Sequence, residues 1–196
     1  MYDYISGIIT ELTPTELVME NNGIGYKILI SLQTYSGIAQ GEETKLFIYH
    51  HLREDIEQLY GFTNKEERRI FMNLIEVSGI GPNSARMMLS SMTYEELRNA
   101  IITGDVNKLK SIKGIGLKTA QRILIELKDK IGKGSQGDTS SFIIGTPGSG
   151  HREEAASALI LLGFSKNNVE KVLDLLIGEN PGYSLEELIK LALKRL

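Results

Sequence analysis

Two glycine triplets, Gly79-Ile80-Gly81 and Gly114-Ile115-Gly116, are the residues of this chain best suited to binding chemistry. Each lies between two helix-like apolar patterns, where glycine permits positive φ and close backbone approach. A helix that opens directly after such a turn leaves N–H groups unpaired, and its dipole adds partial positive charge there. The chemistry this offers is grip on an anion such as phosphate. The expected donors are the backbone N–H groups around Gly79, Gly81, Gly114 and Gly116. Asn83, Ser84 and Thr119 add polar side chains. Lys113, Lys118 and Arg122 place charge at the second turn, and Arg86 is the matching cation at the first. Contacts of this kind are salt-dependent and carry no direct base readout.

Other chemistries find less support. Arg53-Glu54-Asp55 is a charge cluster between two strand-like runs. Its simplest reading is a solvated loop; its functional reading is repulsion, since carboxylates aimed at DNA decide where a duplex does not go. Glu54 and Asp55 could also help to hold magnesium in a nuclease subunit, but phosphodiester cleavage usually needs more ligands than this motif fixes. There is no Cys, and His50, His51 and His151 form no spaced ligand pair, so neither a metal site nor a cofactor is expected. No Gly-x-x-x-x-Gly-Lys-Ser/Thr loop or histidine-based triad is present, so no catalysis by the chain itself is expected. A dinucleotide fingerprint needs a third glycine where Ser84 and Thr119 stand, and a preceding strand where helical patterns stand.

The triplets belong to an internal repeat. Leu74, Val77, Gly79, Ile80, Gly81 and Ala85 return as Leu109, Ile112, Gly114, Ile115, Gly116 and Ala120, each 35 positions on, as Leu109 is from Leu74. The segment resembles a tandem helix-hairpin-helix, a module that binds DNA backbones without reading sequence. Asn64-Lys65-Glu66-Glu67 has capping-box spacing and opens a helix through about Val77; a second follows from about Asn83 to Ser90. Thr93-Tyr94-Glu95-Glu96 caps a helix to about Ile102. Gly104-Asp105 breaks the chain before Val106–Ile112, and Lys118–Ile131 completes the repeat.

The flanking segments differ in pattern and charge. Five short runs, Tyr4–Thr10, Glu16–Glu20, Tyr26–Leu32, Thr44–Leu52 and Ile56–Tyr60, read as strands. Asn22-Gly23 suits a tight hairpin turn, and Ile28, Ile30 and Leu32 alternate with Leu29 and Ser31 as if one face were wetter. Five strands in so short a span suggest a small closed barrel of the OB type. Residues 1–63 carry 3 basic and 9 acidic side chains, net −6; residues 64–130 carry 12 and 8, net +4. The whole chain is at −3, so positive charge is concentrated on the repeat, where phosphate binding needs it. Gly132 to Gly150 is rich in Gly, Ser and Thr and reads as a flexible tether, with Phe142-Ile143-Ile144 unassigned. Helices at about 152–162, about 167–177 and from Ser184–Glu187 onward form a three-helix bundle. In it Leu159, Leu162, Phe164 and Leu193 are either core or an exposed docking patch. No signal-peptide pattern opens the chain and no apolar run reaches about 18 residues, so a soluble, intracellular protein is expected.

The expected fold class is therefore multidomain α+β. Residues 1–63 form the barrel, 64–131 the all-α tandem helix-hairpin-helix domain, 132–150 the linker and 151–196 the bundle. This order resembles the bacterial RuvA family along the whole chain. The resemblance is carried by Tyr4-Ile5-Ser6-Gly7, Arg53-Glu54-Asp55, Leu59-Tyr60-Gly61-Phe62 and Ser78-Gly79-Ile80-Gly81-Pro82. Lys113-Gly114-Ile115-Gly116, Lys118-Thr119-Ala120 and Leu162-Gly163-Phe164 carry it further. It implies a non-catalytic homotetramer that holds a Holliday junction in an open square, and leaves open whether one tetramer or two, an octamer, clasp it. It implies that Glu54 and Asp55 are an acidic pin at the tetramer centre. It implies that the bundle recruits the hexameric RuvB ATPase motor through Leu159, Leu162, Phe164 and Leu193, for branch migration in recombination and repair. The resolvase RuvC is a further partner it raises, and the bacterial cytoplasm is the location. Asn83 stands where a basic residue would be unsurprising. The competing expectation is a generic helix-hairpin-helix duplex binder without junction preference.

Overall fold

The computed structural model describes residues 1–133 and 150–196, and the chain divides into two compact units, Met1–Asp138 and Thr139–Leu196. Most of the predicted linker, Phe142-Ile143-Ile144 included, lies outside the described residues.

The first unit opens with five strands: β1 (Tyr4–Leu12), β2 (Glu16–Asn21), β3 (Ile24–Ile30), β4 (Glu43–Leu52) and β5 (Glu57–Phe62). They close into a barrel in the order β1-β2-β3-β5-β4, with β4 returning to β1. Every pairing is antiparallel except β3 with β5. Asn22 (φ +50°) and Gly23 (φ +79°) turn β2 into β3, the doubly positive geometry that matches strand twist. Alternation puts Ile5, Ile9, Leu17, Met19, Ile28, Ile30, Leu46 and Ile48 inside.

Between β3 and β4 the structure differs from the predicted strand over 26–32. β3 stops at Ile30, and a short helix, α1 (Leu32–Ser36), follows. Ser31, expected on a wet face, is buried; its hydroxyl caps α1 by accepting from the Thr34 N–H at 3.1 Å. Local hydrogen bonding of a serine ended the strand, which β-propensity alone does not anticipate.

The helical part of this unit comprises α2 (Lys65–Glu76), α3 (Pro82–Ser91), α4 (Tyr94–Thr103), α5 (Val106–Lys110) and α6 (Leu117–Lys133). Asn64 caps α2, and Thr93 with Glu96 closes a full capping box on α4. The predicted box at Asn64–Glu67 is only half used, because the Glu67 carboxylate turns into the interior and meets Ser31 and Thr34. α6 continues two residues into the predicted linker, to Lys133. Phe71, Leu74, Ile80, Leu89, Ile101, Leu109, Ile115 and Ile123 share one core with Tyr60 and Phe62 of β5. Barrel and repeat are thus packed together rather than tethered.

The second unit is a bundle of α7 (Gly150–Leu161), α8 (Lys166–Glu179) and α9 (Leu185–Ala192) around Ala155, Leu159, Val169, Leu173, Leu176, Leu188 and Ala192. Ser184 and Glu187 form the capping box of α9, which ends at Ala192 rather than at the C-terminus. Gly163, at φ +101°, turns the chain out of α7.

Candidate nucleic-acid interface

The two triplets adopt the same turn. Gly79 has φ +91° and Gly114 φ +87°. Ile80 N–H donates to Val77 O at 3.0 Å, and Ile115 N–H to Ile112 O at 3.1 Å. Ala85 N–H reaches Gly81 O at 3.0 Å, and Ala120 N–H reaches Gly116 O at 2.9 Å. Ile80 and Ile115 are both buried in the shared core, so each turn is plugged from beneath while its glycines stay exposed. The 35-residue repeat of the sequence is a repeat of hydrogen bonds.

Gly81 and Gly116 carry the most specific information. Neither has positive φ, and a Cβ built on either would meet nothing within 4 Å. Backbone conformation does not require glycine there, and neither does internal packing. What a side chain would obstruct is the approach of something outside the chain. Gly81 is the N-cap of α3 and supplies no side-chain hydrogen bond to the first turn. The first N–H groups of α3 and α6 therefore stay available, less the one that Pro82 lacks.

The structure gathers most of the predicted donors around these turns. Lys113 and Lys118 are exposed beside the second turn, and Thr119 is half-buried at the start of α6. Asn83 is exposed at the start of α3, with Tyr60 Oη at 3.4 Å from its Oδ1; Ser84 next to it is half-buried. Two of the predicted cations also bond within the chain. Arg86 Nη1 donates to Thr15 O at 2.8 Å, so its guanidinium is turned toward the barrel's β1–β2 connection, drawn there by a backbone carbonyl. Arg122 Nη1 donates to Ser78 O at 2.9 Å, in the other turn, and its Nε lies 3.6 Å from Glu126.

Glu54 and Asp55 are the central pair of the β4–β5 connection. Leu52 pairs with Glu57 at the end of the ladder, and Arg53 N–H donates to Ile56 O at 2.8 Å to close the turn. Both carboxylates are exposed, without a hydrogen bond or ion pair among the described residues. Below the tip, His50 Nε2 lies 3.0 Å from Glu57 Oε1 across the hairpin. Burial, and secondarily the positive charge of Arg53, hold the His51 imidazole below its usual range. Among the described residues no three His, Cys, Asp or Glu side chains converge as a metal site would need.

In the bundle the predicted partner residues separate. Leu162 (62% exposed) and Leu193 (44%) face solvent, and Phe164 is half-buried against the core. Leu159 is fully buried and corrects the docking-patch expectation: it shares the core of α7, α8 and α9 with Ala155, Val169, Leu173, Leu176, Leu188 and Ala192. Leu161 (88%) and Leu175 (62%), not singled out in the sequence, are exposed. A helical-face count from Leu159 sets Leu161, two positions on, on the opposite face, but keeps Leu162, three positions on, beside the core positions.

Comparison with known proteins gives three matches along the chain. The family model described as RuvA N terminal domain matches residues 1–61, SAM-like Helix-hairpin-helix tandem matches 71–129, and RuvA, C-terminal domain matches 150–196. A Bacteroides fragilis protein (strain ATCC 25285), named Holliday junction branch migration complex subunit RuvA, is 46% identical over 201 residues, covering all of both chains. The chain belongs to the RuvA family. Proteins of the same name from Bacteroides thetaiotaomicron and Porphyromonas gingivalis are 47% and 42% identical, again over the full length of both chains. The RuvA-family chain thus has its barrel, paired hairpins and bundle in the order of its relatives. No helix among its described residues is long and apolar enough to cross a membrane.

Proposed function

We propose that this chain is a non-catalytic subunit that binds Holliday junctions and holds them in an open square for branch migration. The observation that carries the reading is the pair of identical turns whose outer glycines, Gly81 and Gly116, are needed neither by the backbone nor by packing. Phosphate oxygens approaching the free N–H groups of α3 and α6 account for both. Gly79, Gly81, Asn83 and Ser84 grip at the first turn; Lys113, Gly114, Gly116, Lys118 and Thr119 grip at the second. The relatives' shared name supplies the junction as the substrate.

Mechanistically the chain acts by position and charge. Four copies about a four-fold axis bring Glu54 and Asp55 to the centre, where their charge repels the crossover phosphates and discourages a duplex from lying across it. Each pair of hairpins holds one duplex arm by its backbone, so any sequence can pass. The bundle offers Leu162, Phe164 and Leu193 to the RuvB ATPase, whose hydrolysis supplies the free energy, in the bacterial cytoplasm. One tetramer, or two as an octamer, encloses the junction, with RuvC resolvase as a later visitor.

The test is a competition gel shift at moderate salt, with labelled four-way junction against unlabelled junction and linear duplex of equal length. Junction outcompeting linear duplex by orders of magnitude is the expected result. Equal competition leaves a generic backbone binder and ends the junction reading.

A further inference from the structure

The cross-contacts between the two hairpins obey the repeat. Met87 and Arg122 stand 35 positions apart, as Gly79 and Gly114 do, so they occupy equivalent places in α3 and α6. Each reaches the other hairpin's turn. Arg122 Nη1 donates to the carbonyl of Ser78, the residue before Gly79, at 2.9 Å. Met87 Cε lies 3.5 Å from where a Cβ on Gly114 would sit, so its methyl rests on the second turn. Glu126, one helical turn after Arg122, lies 3.6 Å from the guanidinium Nε and steadies it from behind.

We propose that Met87 and Arg122 form a reciprocal brace that fixes the spacing of the two phosphate-gripping turns, and that Arg122 is a positioning residue rather than a phosphate ligand. The inference rests on the reading of the hairpins as the DNA grip. The reason for a brace is geometric. Two anion sites hold one duplex tightly only if they stay at its phosphate spacing, and a misplacement of about 1 Å forfeits much of the second contact. The buried isoleucines anchor each turn from below. The exposed upper side of each turn, which meets DNA, is held from the neighbouring hairpin. A polar contact serves the first turn, whose Ser78 carbonyl is exposed, and an apolar one serves the second, where glycine presents no side chain.

Two variants of the full chain test this, each with two readouts. In the DNA-free protein, Arg122→Met is expected to speed amide hydrogen exchange over Ser78–Gly81 by about threefold to tenfold, the worth of one net hydrogen bond. Met87→Ala is expected to do the same over Lys113–Gly116, while the turn not contacted stays as it was. In both, affinity for linear duplex falls by about threefold to tenfold with the salt dependence retained. Arg122→Gln, which keeps a donor of shorter reach, gives an intermediate exchange rate and guards against a packing artefact of methionine. Unchanged exchange in either contacted turn overturns the brace. A salt slope shallower by about one unit with unchanged exchange reassigns Arg122 as a phosphate contact and also overturns it. Faster exchange with undiminished duplex affinity also overturns the brace, since the spacing then does not govern binding. The hairpin grip itself falls only if Gly81→Ala and Gly116→Ala leave duplex affinity unchanged, which separates the two failures.

Discussion

Ser31 Oγ donates a 2.7 Å hydrogen bond to the buried carboxylate of Glu67, joining the end of the barrel to the first helix of the hairpin domain. Thr34 donates to the same carboxylate at 3.2 Å. Burial pushes the Glu67 carboxyl above its ordinary 4.5, partly offset by hydrogen bonds from Ser31, Thr34 and the Thr63 backbone. A raised carboxyl pKa means the native state holds the proton more tightly than the unfolded chain. Its stabilising contribution is complete below 4.5 and is lost as pH rises through the native value. Glu67→Gln removes that titration and keeps an oxygen acceptor for both hydroxyls. The melting temperature of the variant minus that of the native chain is therefore expected to grow more positive from about pH 4 upward, then level off. A difference that stays flat in thermal melts across that range would show that the buried carboxyl does not titrate there.

The glycines of the turns divide into two classes with different expected costs. Gly79→Ala forces a side chain to φ +91° and should destabilise by about 1–2 kcal/mol. Gly81→Ala and Gly116→Ala meet open space without positive φ, so their stability should lie within about 1 kcal/mol of native. Duplex affinity should nevertheless drop about tenfold or more in each, because a methyl group blocks charge-assisted hydrogen bonds to phosphate. Urea denaturation beside a binding titration separates the two classes; a Gly81→Ala protein that binds normally would remove the phosphate explanation for that glycine.

Neutralising the β4–β5 tip should alter selectivity without altering the fold. Glu54→Gln combined with Asp55→Asn touches two exposed side chains, so the melting temperature should hold. Linear duplex should bind about fivefold more tightly once the repulsion is gone, and the preference for a junction should fall accordingly. Equal affinities of native and neutralised protein for linear DNA would reduce Glu54 and Asp55 to an ordinary solvated loop.

Within the bundle, Leu159 and Leu162 should respond in opposite ways. Leu159→Ala empties a fully buried site and should cost about 2–5 kcal/mol of bundle stability. Leu162→Ala removes a side chain that is 62% exposed, so the melt should barely move while binding of the RuvB-type motor weakens. Calorimetric melting and a pull-down with purified motor check both; a destabilised Leu162→Ala protein would return that residue to the core.

Much of this molecule is legible in its sequence because the signals are local. A 35-residue repeat of Leu, Gly, Ile and Ala fixes paired turns wherever it folds, since φ preference and one buried isoleucine decide them within a few residues. Strand alternation, the Asn22-Gly23 turn and the capping boxes at Thr93 and Ser184 are local in the same sense. What the tertiary structure alone decided depends on partners distant in sequence. Glu67 reads as half of a capping box until Ser31, 36 residues earlier, offers a better bond in a buried site. Arg86 and Arg122 read as cations beside the turns, and no local signal names the carbonyls, 71 and 44 residues away, to which they donate. Leu159 and Leu162 are the same residue type three positions apart, and only the closing of three helices buries one and leaves the other in water. Backbone preference acts within a turn and can be read along a chain. The choice of hydrogen-bond partner or packing face is a competition across the fold, and its outcome appears only when the competitors are side by side.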